Sequence, residues 1–194
     1  MVDPLPIDLQ PRHFRDAASW EKWLVACGDG RGAWLKIAKK NAGASSVSYA
    51  EALDVALCHG WIDGQKRSFD DVFFLQRFTP RRPKSLWSKI NVGRVERLGE
   101  AGRMQAGGLR EVEAAKADGR WDAAYAGAAG MAVPEELEAA LAKNRKARAF
   151  FDKLDKTNRY AVCWRVQTAK TPETRAARIG KLVAMLAKGE KIHG

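Results

Sequence analysis

The sequence is poor in the residues that most often betray chemistry. Its 194 residues include only three histidines and three cysteines. Cys27, Cys58 and Cys163 are too widely spaced to read as a zinc ligand set or a redox pair. Odd in number and set among apolar neighbours, they read as reduced, buried thiols, which fits a reducing compartment. The chain has no GxGxxG motif, Walker loop, HExxH or GxSxG, so no cofactor and no metal is implied. No apolar run approaches the roughly 20 residues that cross a bilayer. The opening MVDPLPIDLQPRHF carries acids and prolines where an export signal needs a basic and then an apolar segment. A cytoplasmic protein without a membrane span is expected.

What is present is a core and an excess of positive charge. A hydrophobic share of 46% with 29% charged residues is that of a folded globular chain. The net charge of +11 is unevenly spread. Residues 1–70 balance, whereas residues 71–110 hold nine Lys/Arg against three Asp/Glu. Such an excess concentrates anions, so nucleic acid, a phosphorylated ligand or an acidic protein are candidate partners; the alternative is solubility alone.

Pro4, Pro6 and Pro11 predict an extended lead-in over residues 1–15. Ser19 can cap a first helix through Cys27, ended by Gly28, Gly30 and Gly32. Residues 33–40 read as a strand. Ser48 with Glu51 three residues on predicts a capping box and a helix that stops at Gly60. Residues 61–67 and 72–78 read as an antiparallel hairpin. From residue 85 the pattern is helical: Ser85 or Ser88 to about Leu98, then 109–117 after a break at Gly107–Gly108, a helix opened by Pro134 with Leu137, Ala140 and Leu141 as its stripe, and helices within 145–154, 157–168 and 172–188. GAAGMA (127–132) is the best linker. The expected fold is α+β: a mixed domain, residues 1–126, with a small antiparallel or mixed sheet of about three strands, followed by a helical region, residues 127–194.

Three clusters bear on function. The first is the proline-stiffened basic loop that runs into a helix start. It offers Arg77, Arg81, Arg82 and Lys84 as cations and Ser85, Ser88 and Asn91 as hydrogen-bonding groups. It is either an anion site or a well-capped piece of structure with Trp87 in the core. The second is Asp54, Cys58, His59, Trp61 and Asp63. Cys58 falls at a helix C-terminus, where the dipole opposes thiolate formation, so a thiol nucleophile is disfavoured. Asp54, His59, Trp61, Asp63 and Trp87 could instead line a pocket with the arginines, as an enzyme of unknown reaction would need. The third is a helix face bearing Arg175 and Arg178, either solvated or meeting a polyanion.

GAWLKIAKK, YAEALDVALCHGWIDGQ, QRFTPRRPKSLWSKIN, AKADGRWDAAY, VPEELEAAL and AKTPETRAARI follow one another along nearly the whole chain. Together they resemble the bacterial YdeI/OmpD-associated family of bacteriocin-protection proteins. The resemblance implies a small bacterial protection protein and carries over no catalytic residues. Joined to the charge pattern, it gives three expectations. One is a non-enzymatic stress or protection protein that binds an anion through residues 77–91. The second is an enzyme using Asp54, Asp63 and the arginines. The third is a protein–protein interaction module working through its C-terminal helices.

Overall fold

The computed structural model describes residues 10–27, 30–127 and 130–194. The expectations for residues 1–9, for Gly28, for the Cys27 side chain and for part of GAAGMA lie outside the described residues. The fold is α+β, with eight helices, a four-stranded mixed sheet and no strand after Pro80 among the described residues. The chain divides into two compact units, Met1–Leu86 with Asn91–Ala123, and Trp87–Ile90 with Ala124–Gly194.

The first unit holds β1 (Arg12–His13), α1 (Ala17–Cys27), β2 (Ala33–Ala38), α2 (Tyr49–Cys58), β3 (Trp61–Ser68), β4 (Phe73–Pro80), most of α3 (Lys89–Glu100) and α4 (Ala106–Ala117). The sheet runs β1-β2-β4-β3, with β1 parallel to β2 and the other pairs antiparallel. The strand beyond the expected three is β1. It is only two residues long, too short to show any alternation of its own.

Local chemistry sets these elements. The Ser48 hydroxyl accepts from the Glu51 N–H and the Glu51 carboxylate accepts from the Ser48 N–H, which closes the capping box of α2. In the hairpin turn the Asp70 carboxylate accepts from the N–H groups of Val72 and Phe73 at 2.8 and 2.6 Å. The β3–β4 register shifts between Asp63 and Lys66. There the buried Gln76 amide donates to the carbonyls of Gly64 and Gln65, at 3.0 and 3.3 Å, so the irregularity leaves no orphan at those two groups.

Cross-strand partners share a face, so register sorts the side chains. Leu35, Ile37, Phe78 and Trp61 are buried on one face, where Trp20 meets Phe78 and Trp61 ring to ring. The Trp20 Nε1 donates to the Ala52 carbonyl of α2 at 3.1 Å. The other face carries Trp34, Lys36, Leu75 and Arg77.

Gly107 and Gly108 lie inside α4 rather than before it, which corrects the expected break. A Cβ on Gly108 would stand 2.3 Å from the Cys58 carbonyl oxygen, and one on Gly107 would stand 2.6 Å from that of His59. These glycines let the end of α2 lie directly on α4. Their role is close approach, not helix termination.

In the second unit α5 (Glu135–Ala142), α6 (Arg145–Asp152), α7 (Lys156–Gln167) and α8 (Pro172–Ala187) enclose Leu137, Leu141, Phe151, Val162, Val166, Leu182 and Leu186. Asn144, Asp155 and Thr171 cap α6, α7 and α8 through their side chains. Backbone pairing joins Trp87 and Lys89 to Tyr125. No described helix is long and apolar enough to cross a membrane.

Candidate functional site

The basic loop is more tightly built than its composition predicts. The Arg81 N–H donates to the Gly60 carbonyl at 3.0 Å, which ties the end of β4 to the α2–β3 junction. The Arg81 side chain is only 6% exposed and donates to the Leu86 carbonyl at 2.9 Å. The Ser85 N–H donates to the Arg82 carbonyl, and the Ser85 carbonyl accepts from Arg120 at 2.9 Å. Arg81 therefore helps hold the turn, while Arg82 and Lys84 are exposed. Ser85 is half-buried, and Asn91 is half-buried in the first turn of α3. Trp87 and Ser88 are buried and belong to the second unit. The helix starts at Lys89, later than a cap at Ser85 would place it.

In the second cluster Asp54, His59 and Asp63 each have a partner. Asp54 accepts from the Arg94 guanidinium at 2.7 Å, and Asp63 accepts from the Tyr49 hydroxyl at 2.8 Å. His59 Nε2 lies 2.8 Å from the Glu21 carboxylate. The Cys58 thiol is buried, and desolvation pushes its pKa up, as it does for Cys163. Trp61 is core. Asp63 is the cross-strand partner of Phe78, so it lies on the face opposite Arg77. Asp63 and Arg77 therefore do not converge on one cleft, as the enzyme expectation required of them. Among the described residues no group of three or more His, Cys, Asp and Glu could hold a metal ion.

The Tyr49–Asp63 pair makes a pH prediction. Burial first, and then the hydrogen bond to Asp63, push the Tyr49 pKa well above its ordinary value, with Arg94 opposing part of the rise. A group whose folded pKa is raised contributes stability that is complete below its unfolded pKa of about 10 and is lost as the pH climbs beyond it. In urea titrations Tyr49→Phe is expected to cost about 1 kcal/mol at neutral pH. That deficit should shrink above about pH 10. A deficit that does not change with pH would show that the hydroxyl is not held as a donor.

The feature that sequence reasoning missed lies around Arg77. Trp34 and Arg77 are direct partners across β2 and β4, and Lys36 and Arg67 both pair with Leu75 in the next row. The Arg67 and Arg77 guanidinium carbons lie 5.1 and 6.0 Å from the Trp34 ring centroid. Lys36 Nζ sits 4.6 Å over Phe69. Trp34 is 1% exposed, yet its indole N–H has no acceptor, and neither has the buried Nε of Arg77. One Arg77 terminal nitrogen donates weakly, at 3.4 Å, to the Arg31 carbonyl. Four carboxylates of this unit are engaged elsewhere: Asp54 with Arg94, Asp118 with Arg120, Asp16 with Arg15 and Glu21 with His59. The sheet thus presents a row of cations and two acceptor-less buried donors on one face. Such groups cost about 1–3 kcal/mol each unless something satisfies them.

An α+β chain with a cation-bearing sheet face is the class that fold and site define. A family model described as a domain of unknown function, DUF8412, matches residues 12–111, and the chain belongs to that family. Residues 131–189 match a second model, described as bacteriocin-protection, YdeI or OmpD-associated. That match carries the VPEELEAAL and AKTPETRAARI blocks of the resemblance, while the blocks between residues 32 and 91 fall within the first. No curated protein and no solved structure matches the chain.

Proposed function

We propose that the protein is a non-enzymatic, cytoplasmic protection protein that binds an anionic partner on the sheet of its first unit. Arg77 and Arg67 are the principal contacts, Lys36 flanks them, and the exposed Arg82 and Lys84 follow the same strand. The observation that supports this most directly is the pair of half-buried guanidiniums, Arg67 and Arg77, gathered over the Trp34 ring with no carboxylate partner among the described residues. A phosphate-bearing polyanion suits them best. Its oxygens accept from guanidinium forks, and the +11 net charge draws it in. The second match links the chain to proteins named for bacteriocin protection, which is where the physiological part of the proposal comes from.

The test is a titration of the full chain with a fluorescent single-stranded oligonucleotide at two salt concentrations. Affinity is expected to fall steeply with salt, because each neutralised phosphate releases counterions. Arg82→Ala should weaken binding a few-fold, as a flanking contact does. Affinity that is insensitive to salt, or unaltered in an Arg67/Arg77 double variant, would end the proposal.

A further inference from the structure

We infer that the groove between α7 and α8 in the second unit is a separate ligand site, built for a nucleotide: a planar base beside a phosphate. The groove encloses about 360 Å³ and is lined by Trp164, Arg165, Arg178, Lys181 and Leu182. Three of those five side chains are cationic and none is a carboxylate. Arg178 is fixed in place, since its Nη1 donates to the Arg165 carbonyl near the end of α7 at 2.7 Å. The Tyr125 ring meets the Trp164 indole at 87° with 6.0 Å between centroids, which holds the indole without stacking over it. Leu182 is buried and closes the floor.

A neighbouring cavity on the same helix shows what this groove is not. It encloses about 320 Å³ around Glu136, Lys170, Thr171, Pro172, Arg175, Ala176 and Ile179. There Arg175 already pairs with Glu136 at 3.0 Å, so the cavity answers part of its own charge. The Trp164 groove has no such internal acid. Its apolar lining comes from an indole and a leucine, and its volume lies at the small end of the range for ligand sites. An aromatic wall of this kind favours a flat π-system, because every base has a face to stack. Three cations in the same lining favour a phosphate next to it. An acidic peptide would use the cations and waste the indole.

The experiment is calorimetric and NMR titration of the full chain with AMP, with ribose 5-phosphate, with a glutamate-rich peptide and with a short oligoadenylate. AMP should bind and shift one tryptophan indole N–H resonance. Ribose 5-phosphate should bind at least about tenfold more weakly, the loss of one stacked base. Lys181→Glu should weaken AMP binding at least about tenfold, by replacing a flanking cation with an anion. Lys181 is exposed, so this change leaves the helix core intact. An oligoadenylate that binds more tightly than AMP and needs Lys181 assigns the site to a nucleic acid strand, and the reverse order assigns it to the free nucleotide. Either result supports the inference. Equal affinity for AMP and ribose 5-phosphate overturns it, as does preference for the peptide, indifference to Lys181→Glu, or no binding at millimolar AMP. AMP binding that is lost in Arg77→Met but kept in Lys181→Glu places the nucleotide on the sheet and overturns this inference alone.

Discussion

Replacing Gly108 by alanine is expected to destabilise the protein by about 3 kcal/mol, the upper end of ordinary overpacking. Helix propensity alone predicts the opposite sign, since glycine inside a helix costs roughly 1 kcal/mol relative to alanine. The new Cβ would stand 2.3 Å from the Cys58 carbonyl oxygen and 2.7 Å from that of Leu57. Both obstacles are backbone, so no rotamer change relieves them. Separating the helices would also stretch the hydrogen bond from the Gln105 N–H to the Cys58 carbonyl, now 3.0 Å. Gly93 in α3 is the control, because a Cβ there meets nothing within 4 Å. Gly93→Ala should be neutral or stabilising by up to about 1 kcal/mol. Urea midpoints for the two variants should therefore move in opposite directions. If both rise, the α2–α4 contact is not the close packing described above.

That glycine pair also shows where the sequence stops being legible. Features that depend on neighbours within about four residues could be read directly. The Ser48–Glu51 capping box, the Thr171-Pro172-Glu173 start of α8 and the hairpin around Asp70 and Asp71 are of this kind. Gly107–Gly108 looked like a break because glycine lowers local helix propensity, whereas its reason for being there is a carbonyl about fifty residues earlier. The same limit governs the candidate site. Arg77 stood out within a run of cations, but its partner Trp34 is set by strand register. Residues 77–91 gave no sign of which cations turn inward. The structure takes Arg81 into the fold and leaves Arg82 and Lys84 exposed. The Trp164 groove was invisible for a related reason. By sequence Arg178 is only part of a helix face, and the packing of α7 against α8 brings Trp164, Arg165 and Lys181 around it.

The double variant Arg67→Met/Arg77→Met is expected to lose binding of a phosphate polyanion by two to three orders of magnitude, while the protein stays as stable as before or gains slightly. Each arginine hydrogen bond to a charged acceptor is worth about 1.5–3 kcal/mol, and about 1.4 kcal/mol is tenfold in affinity. Methionine is chosen because its apolar chain reaches towards the Trp34 ring over which the two guanidiniums now lie. Truncation to alanine would confuse lost packing with lost charge. In the unliganded protein the buried Arg77 Nε lacks an acceptor, so removing it lifts a desolvation penalty of about 1–3 kcal/mol, which offsets the loss of the weak 3.4 Å bond from its terminal nitrogen to the Arg31 carbonyl. Two fewer phosphate contacts should also flatten the slope of log affinity against log salt by about 1.4 for a single strand. These readouts separate a binding site from scaffolding. If the arginines serve only to cap the sheet, the variant should lose stability and keep its salt slope. If they form the site, the slope and the affinity fall together while the urea midpoint holds. A stability loss above about 2 kcal/mol with unchanged affinity would return Arg67 and Arg77 to the fold and leave the anion proposal without its carrier.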